Sequence, residues 1–498
     1  MSIVMSLVGL FFLLFIGFLF SNNKKAINLR TVGGAFLIQA AFGGFVLYVP
    51  VGKDILKGVS DAVYSVIDKA NDGIRFLFGD LANFKVGFIF VIHVLPVIVF
   101  FSSLIAVLYH LGIMQWVIRL LGGALQKALG TSRTESMSAT ANIFVGQTEA
   151  PLVVRPFIPT MTQSELFAIM VGGMASIAGS VMAGYAQMGV PMEYLVAASF
   201  MAAPGGLLMA KLMHPETEAP HDDIVALPDD PDKPANVLDA AASGASAGMQ
   251  LALNVGAMLL AFIGLIALIN SIIGGIGGWF GYGNAALATA FEALKTAAAA
   301  TPELQAAFNS SVQALADQAH VAVTALTITD IDRQLVIEQF SKLQQPELAT
   351  ATKAVVDAAA AKISLEMILG YLFMPLAWMI GVPWKEAMLA GSFIGQKIVV
   401  NEFVAYSNFA PYLKDLAEGG KLVAETGMVM TDKTKAIVSF ALCGFANLSS
   451  IAILLGGLGG MAPNRRHELA KLGMRAVIAG SLANLMSATL AGLFVALS

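Results

Sequence analysis

Two short polar stretches stand inside otherwise apolar sequence, and they carry the groups best able to do chemistry. The first is GQTE at residues 146–149, and the second contains Glu402. A carboxylate at bilayer depth is costly unless it is paired or hydrated. Carboxylates accept hydrogen bonds from hydroxyl and amine groups, while side-chain amides both donate and accept. The two stretches therefore indicate a buried polar site, with helix capping and solvation at the membrane interface as the simpler alternative.

The composition shows what kind of elements must position these groups. The chain has 498 residues, of which 57% are hydrophobic and only 12% are charged, and its mean hydropathy is +0.76. Soluble domains carry about 25% charged residues, so a soluble enzyme is excluded. The net charge of −4 gives no reason to expect a nucleic-acid partner. A single cysteine, Cys443, excludes intramolecular disulfides and cysteine-based metal sites. The sequence is typical of an all-α polytopic membrane protein.

Eight stretches are apolar over roughly the 20 residues that a bilayer crossing needs. They lie near 3–20, 32–51, 86–109, 163–187, 193–213, 248–273, 433–458 and 472–497. Lys24, Lys25 and Arg30 follow the first stretch, so the positive-inside rule places that loop in the cytoplasm and the N-terminus outside. Eight crossings then leave the basic cluster at 465–475 inside and the C-terminus outside. A ninth crossing at 363–382 would reverse that cluster, so we predict that 363–382 does not cross.

Two further segments have patterns of their own. Residues 53–69 place apolar side chains on one helical face and charged ones on the other, which predicts an amphipathic helix lying in the interface. A helix of a small extramembrane domain is the alternative. Residues 284–362 are Ala-rich, polar and helical in propensity. They predict a helical insertion outside the membrane.

The two polar stretches resemble the tips of re-entrant hairpins. Around 139–159 the chain is too polar in the middle to cross, and Thr148 is expected to cap a second arm with Glu149 and Pro151 in its first turn. At 391–406 the same reasoning makes Asn401 a cap at the second tip.

Each predicted hairpin is followed by an apolar span that small and polar residues interrupt. These interruptions lie at 172–180 and 443–452. Two halves that each contain a hairpin and then a broken helix are typical of transporters built from inverted repeats. The predicted fold is therefore eight transmembrane helices with two re-entrant hairpins in inverted repeats, plus the interfacial amphipathic helix.

The predicted organisation has seven parts. They are N-terminal scaffold helices (1–51), the interfacial amphipathic region (52–85), the first inverted repeat with a hairpin near 131–160 (86–213), a cytoplasmic loop (214–247), a scaffold helix opening the second repeat (248–283), the extracytoplasmic helical insertion (284–362), and the rest of the second repeat with a hairpin near 385–411 (363–498).

Three motifs together resemble one known family. The runs GQTEAPLVVRPF (146–157), NEFVAY (401–406) and CGFANLSSIAI (443–453) are similar, in content and order, to signatures of the concentrative nucleoside transporter family. The resemblance covers nearly the whole chain except 284–362. It implies a homotrimer in the bacterial inner membrane, surrounded by lipid, in which transport domains move like elevators against a scaffold.

The resemblance also implies which residues form the sites. The first tip and Val181 would contact the nucleobase with Phe445 packing on it, and Glu402 would hold the ribose with Asn447 and Ser450. The implied nucleoside site comprises Gln147, Thr148, Glu149, Val181, Glu402, Phe445, Asn447 and Ser450. The implied sodium site comprises Asn142, Ser176 and the carbonyls of Val145 and Ile177. Such oxygen ligands suit Na⁺.

The resulting hypothesis is a secondary active transporter that imports nucleosides by symport with Na⁺ and needs no other cofactor. The alternative is proton coupling, with Glu149 or Glu402 carrying the proton. A membrane-embedded hydrolase would need a nucleophile with a base, or a metal pair, and no span has two histidines with carboxylates at ligand spacing. Carboxylates at both tips favour a substrate that is gripped and released over one conducted through a channel.

Overall fold

The structure, a computed structural model, describes residues 2–83, 87–220, 234–416, 419–424 and 426–498. Within these ranges the secondary structure is helical, apart from an isolated antiparallel bridge between Val423 and Met428. Residues 221–233 of the predicted loop at 214–247 and residues 84–85 of the predicted interfacial region lie outside the described residues. The prediction of an all-helical protein is confirmed.

The chain divides into two compact units. The larger unit comprises the residues up to Ile263 and those from Leu369 onward, and the smaller is Gly264–Ile368. The helices that begin before the division are α1 (Ser2–Leu19), α2 (Leu29–Leu47), α3 (Pro50–Asp68), α4 (Ala70–Phe78), α5 (Phe90–His93), α6 (Leu95–His110), α7 (Ile113–Leu129), α8 (Arg133–Ala141), α9 (Gln163–Ala175), α10 (Gly179–Gln187), α11 (Met192–Met213) and α12 (Val237–Trp279).

The later helices continue in the same order. They are α13 (Asn284–Ala298), α14 (Pro302–Gln318), α15 (Arg333–Ser341), α16 (Ala349–Ala360), α17 (Leu365–Met379), α18 (Trp384–Val399), α19 (Glu402–Phe409), α20 (Asp432–Leu442), α21 (Ser449–Met461) and α22 (Arg466–Leu497).

Six helices of the described ranges are long and apolar enough to cross a bilayer. They are Leu29–Leu47, Phe90–His110, Gln163–Gln187, Met192–Met213, Val237–Trp279 and Pro463–Leu497, with a seventh if the bent pair Pro346–Ala360 and Leu365–Met379 forms one span. The predicted spans at 3–20 and 433–458 contain shorter apolar helices, Ile3–Leu19 and Ser449–Met461. The count of eight crossings stays a prediction, as do the non-crossing role of 363–382 and the interfacial position of α3.

Side-chain caps explain where two helices of the predicted first repeat begin. Ser132 and Glu135 form a capping box at α8, and Thr162 and Glu165 form another at α9. In each box the hydroxyl accepts from the third helical N–H while the carboxylate accepts from the cap residue's N–H, so two otherwise unpaired donors are satisfied. These caps fix the ends of α8 and α9 that lie away from the polar tip.

Both spans that the sequence marks as interrupted are broken in the structure. The first breaks after α9 at Ser176, whose backbone is extended, and the second between α20 and α21. Phe445 N donates to Ser176 O at 3.1 Å, so one break hydrogen-bonds the other. Non-helical backbone at membrane depth is tolerated only where protein or a wet cavity surrounds it, and this bond satisfies one donor and one acceptor of the two breaks.

The smaller unit has an apolar core of its own. Buried side chains from α13 to α16 form this core, among them Leu287, Leu294, Phe308, Phe340 and Val355. Arg333 donates to Ala361 O at 2.7 Å and to Asn284 Oδ1 at 2.8 Å. One guanidinium therefore joins the two ends of the segment 284–362, whose predicted helical character is confirmed.

Candidate functional site

The first polar stretch lies between α8 and a 3₁₀ helix, Ala150–Thr160. Gly179 N donates to Phe144 O at 3.0 Å, which attaches this tip to the broken span. Glycines leave room for the tip: a Cβ at position 173 would lie 2.8 Å from the Cβ of Gln147, and one at position 457 would lie 2.9 Å from Thr148 Cγ2. The tip therefore fills the space between α9 and α21.

The local capping of this tip differs from the sequence prediction. Pro151 lies in the first turn of the second arm as predicted, but the arm is a 3₁₀ helix and its cap residue is Glu149, without a side-chain cap hydrogen bond. The prediction that Thr148 caps the arm was wrong. Thr148 packs against α21 at Gly457 instead.

Glu402 begins the second arm of the second predicted hairpin and is 3% exposed. Asn401 caps α19 by accepting from Val404 N at 3.0 Å, as the sequence predicts. The Glu402 carboxylate accepts from Tyr185 Oη at 3.1 Å and from Asn447 Nδ2 at 2.9 Å. Both bonds come from broken spans, so the carboxylate joins the second tip to α10 and to the break before α21.

Asn447 extends this set of bonds to the first tip. Its Oδ1 accepts from Ser450 N at 2.9 Å and from Ser449 Oγ at 2.7 Å. Ser450 Oγ in turn accepts from Gln147 Nε2 at 3.3 Å. Gln147 Oε1 is buried and has no hydrogen-bond partner among the described residues. The residues Glu402, Asn447, Ser450 and Gln147 thus form one connected polar cluster, which we call the tip cluster.

The remaining residues of the predicted nucleoside site are not part of the hydrogen-bonded tip cluster. Glu149 is exposed and lines a cavity of about 870 Å³ together with Ser180 and Arg155. Val181 is buried in α10, and Phe445 is half-buried at the second break. The cavity falls within the roughly 300–1,000 Å³ typical of small-molecule sites.

The side chains predicted to bind sodium meet at one position of α9. Asn142 Nδ2 donates to Ser138 O at 3.0 Å and lies 3.2 Å from where a Cβ at Gly172 would stand. Ser176 Oγ donates to Gly172 O at 3.1 Å. Asn142 Oδ1 is buried without a hydrogen-bond partner among the described residues. A buried acceptor left unsatisfied is costly, so the oxygen atoms of Asn142 and Ser176 fit a cation that prefers oxygen ligands.

Three polar residues near the tip cluster were not predicted from the sequence. Tyr185 bonds Glu402, and its ring centroid lies 4.5 Å from that of Tyr406. Lys397 and Asn484 are both buried, with Lys397 Nζ donating to Asn484 Oδ1 at 2.8 Å. Of the three, only Lys397 leaves a signal in the sequence, as a cation inside an apolar half-helix.

Comparison with known proteins identifies the family. The chain matches the models described as Na⁺ dependent nucleoside transporter N-terminus (residues 8–81) and C-terminus (residues 194–301 and 304–492), and between them one described as nucleoside recognition (residues 91–192).

Relatives match over the full chain, so the resemblance also covers 284–362, contrary to the expectation from the motifs. A transporter of Haemophilus influenzae without an assigned substrate is 54% identical over 500 residues, which cover 100% of this chain and 99% of that protein. The nucleoside permease NupC of Helicobacter pylori is 44% identical over 505 residues, with coverage of 100% and 99%. The solved structure of CNTnw in an inward-facing substrate-bound state is 51% identical, covers 100% of this chain and 99% of its own, and has a TM-score of 0.79. The chain therefore belongs to the concentrative nucleoside transporter family, whose members are membrane transporters and not enzymes.

Proposed function

We propose that this protein imports nucleosides by symport with Na⁺. The observation that carries the proposal is the tip cluster, in which both polar tips and the second helix break are joined by hydrogen bonds around a buried carboxylate. Carboxylate, amide and hydroxyl groups together suit a neutral solute that offers several hydroxyls and a flat polar ring.

Each half of a nucleoside has suitable partners here. An ionised carboxylate has about four lone-pair positions, and Tyr185 and Asn447 use only two of them at Glu402, so ribose hydroxyls can donate to the others. Asn447 and Ser450 would complete the ribose contacts. The unpartnered Gln147 Oε1 would accept from the base, next to Thr148 and Glu149.

Two apolar side chains complete the proposed base site. Val181 and the half-buried ring of Phe445 would contact the faces of the base. An aromatic ring beside a planar base favours offset stacking. The cavity beside Glu149 would connect this site to one side of the membrane.

The coupling ion would bind between the first tip and the first break. Asn142 Oδ1, Ser176 Oγ and the carbonyls of Val145 and Ile177 supply oxygen ligands, which suit Na⁺. The unpartnered amide oxygen of Asn142 supports this assignment. Proton coupling through Glu149 or Glu402 is the competing proposal, since both carboxylates lie at tips.

Alternating access would proceed by an elevator-like movement of the hairpins and broken helices within a homotrimer. Structures of CNTnw exist in an inward-facing state and, for a variant with a TM-score of 0.80 to this chain, in an outward-facing state. We place the protein in the bacterial inner membrane, with lipid around the scaffold. Both termini would lie outside, because the basic segments then lie in the cytoplasm.

The test is transport by purified protein in proteoliposomes. Uptake of radiolabelled uridine and adenosine should require an inward Na⁺ gradient, and it should persist when the pH gradient is removed. Uptake driven by a pH gradient and unaffected by Na⁺ would replace sodium coupling with proton coupling. Transport of neither nucleoside under either gradient would contradict the proposed substrate class.

A further inference from the structure

A buried lysine fixes the orientation of a buried amide beside the tip cluster. Lys397 and Asn484 are 2% and 3% exposed. An ammonium can only donate, so Asn484 Oδ1, 2.8 Å away, must face it. The amide nitrogen then donates to Ala175 O at 2.6 Å and to Cys443 O at 3.0 Å, two carbonyls that can only accept. The chemistry of its partners thus allows one orientation of this amide.

The two carbonyls belong to the two helix breaks. Ala175 directly precedes Ser176 and Ile177 of the proposed sodium site, and Cys443 lies just before Phe445 and Asn447 of the proposed nucleoside site. A single side chain of α22 therefore bonds the backbone at both sites.

The surrounding packing brings α22 close enough for these bonds. A Cβ at Gly480 would lie 2.8 Å from the Cβ of Met174 and 3.2 Å from that of Ala446, so α22 contacts both breaks through this glycine. A Cβ at Gly444 would collide with the Asn484 amide. Glycine at both positions leaves room for the shared contact.

The burial of Lys397 calls for an explanation beyond packing. A buried ammonium is expensive unless it is hydrogen-bonded and its charge is compensated. Its bond to Asn484 Oδ1 satisfies one of the three ammonium donors. An apolar residue would fill the same volume without that penalty, so a functional reason for the cation is indicated.

We propose that Lys397 and Asn484 are positioning residues that couple the sodium site to the nucleoside site. Sodium bound at Asn142 and Ser176 would order the first break. The Asn484 amide, held in orientation by Lys397, would transmit that order to the second break, which presents Phe445 and Asn447 to the nucleoside. This inference rests on the proposed function.

The first test is Asn484→Asp, measured as the uridine Kd at low and at saturating Na⁺ in purified full-length protein. Aspartate has nearly the same size and still accepts from Lys397, but it donates to neither carbonyl. We define the coupling factor as the uridine Kd at low Na⁺ divided by the uridine Kd at saturating Na⁺. Linked sites typically change each other's affinity by about 5- to 150-fold, and we expect a coupling factor in this range for the wild type. In the variant it should fall below about threefold, with the weaker binding appearing at saturating Na⁺.

The matched control is Ser487→Ala, one turn further along α22. Ser487 is equally buried, and its hydroxyl accepts from Gln39 Nε2 at 2.8 Å. Losing this bond removes a buried polar contact on the same helix without touching either break. The control should therefore keep the wild-type coupling factor even if its thermal stability falls.

Lys397→Met provides a second variant, since methionine fills the lysine stem's space but leaves Asn484 Oδ1 without its donor, so that only the bonds to the two carbonyls hold the amide. Its coupling factor should fall as in Asn484→Asp. Wild-type coupling in both variants, or failure of both to fold, would overturn the proposal and leave the pair a structural role. Absence of Na⁺ dependence in the wild type would instead contradict the proposed sodium symport, on which the inference rests.

Discussion

At the scale of single residues, Glu402 illustrates how burial and partners together define a binding group. Its carboxylate is almost inaccessible, and its two protein partners come from two different broken spans. Hydrogen bonds to an ionised acceptor are roughly twice as strong as neutral ones. Burial makes this charge costly, but a substrate hydroxyl that donates to the carboxylate therefore forms a stronger hydrogen bond than it would with a neutral acceptor.

Glu402→Gln should nearly abolish uridine uptake while the protein still inserts and purifies. The new amide nitrogen cannot accept, and it would face one of the two donors, Tyr185 Oη or Asn447 Nδ2. A hydrogen bond to a charged group contributes about 1.5–3 kcal/mol, so the uridine Kd should rise by roughly 10- to 150-fold. Uptake and equilibrium binding measure the two effects.

Two controls make this result specific. Glu338→Gln makes the same chemical change at an exposed carboxylate that pairs with Lys342 at 2.9 Å in the smaller unit, and uptake should be unchanged. In the wild type, 2′- or 3′-deoxyuridine should bind more weakly than uridine, and this difference should shrink in Glu402→Gln. Normal uptake by Glu402→Gln would remove the residue from the site.

Asn142→Ala should weaken uridine binding mainly at low Na⁺, with partial recovery as Na⁺ is raised. The change removes one oxygen ligand, whereas Ser176 and the two carbonyls remain. Because the two binding equilibria are linked, weaker sodium binding appears as weaker nucleoside binding at a given Na⁺ concentration. Glu402→Gln should instead bind poorly at every Na⁺ concentration.

Titration of uridine binding against Na⁺ in both variants distinguishes these roles. If uridine binding by the wild type does not depend on Na⁺ but changes steeply with pH, the assignment of Asn142 as a sodium ligand is contradicted. Proton coupling would then take the place of sodium coupling.

The sequence indicates some of these residues and hides others for a physical reason. Glu402 and Gln147 stand out because polar groups interrupt local apolar runs. Tyr185 and Asn484 do not, because their partners are 217 and 87 residues away along the chain. A tyrosine or an asparagine in an apolar span is ordinary until the fold shows what it contacts.

At the scale of elements, similar hydrogen bonds join each predicted hairpin to the broken span that follows it. In the first half, Thr134 Oγ1 of α8 donates to Glu165 Oε1 of α9 at 2.8 Å. In the second half, Thr431 Oγ1 at the start of α20 donates to Glu386 Oε2 of α18 at 2.9 Å. A threonine–carboxylate pair thus joins each predicted hairpin to the broken span that follows it, as we would expect of the predicted inverted repeats.

Local patterns could predict where these elements break, but not the angles or contacts that follow. The interruptions at 172–180 and 443–452 are visible because small and polar residues replace apolar ones. The bond from Phe445 N to Ser176 O is not visible, since it joins two breaks through backbone atoms that every residue has. The second arm of the first predicted hairpin was expected to be helical, but its 3₁₀ form, with a kink at Val154, was not predicted at 150–160, where three prolines lack the N–H that a regular α-helix needs.

The packing of α21 against the first tip makes a prediction about one glycine. Gly457→Ala places a methyl group 2.9 Å from Thr148 Cγ2, so the tip must shift. Uridine affinity and uptake should fall. Alanine should otherwise favour the helix by about 0.5–1 kcal/mol, so any loss of affinity reflects the displaced tip.

The same helix offers the matched control. Gly460→Ala introduces the same methyl group where no neighbouring atom lies within 4 Å. Thermal unfolding and uridine binding of the two variants should therefore diverge, with Gly460→Ala at least as stable as the wild type and unchanged in affinity. Equal uridine affinity in both variants would show that Thr148 has no defined place in the site.

At the scale of the whole molecule, the chain combines a transporter body with a smaller unit that has its own core. Composition alone distinguishes the segment 284–362, because it is polar and Ala-rich between apolar spans. Its core was not foreseen, since frequent alanine gives little contrast between the faces of a helix. The buried phenylalanines Phe308 and Phe340, 6.4 Å apart, show the contact that organises it.

Deleting residues 288–358 and bridging the gap with a short Gly/Ser linker should leave uridine transport largely intact. The segment contributes no residue to the tip cluster or to the proposed sodium site. Its ends are close together, because Arg333 bonds both Asn284 and Ala361, so a short linker can span them. Each doubling of a flexible loop's length changes its closure free energy by only about 0.6 kcal/mol, so the linker's length matters little.

Uptake in proteoliposomes, corrected for the amount of folded protein, is the measurement. A deletion variant that folds and binds uridine but does not transport it would show that this unit takes part in the conformational cycle.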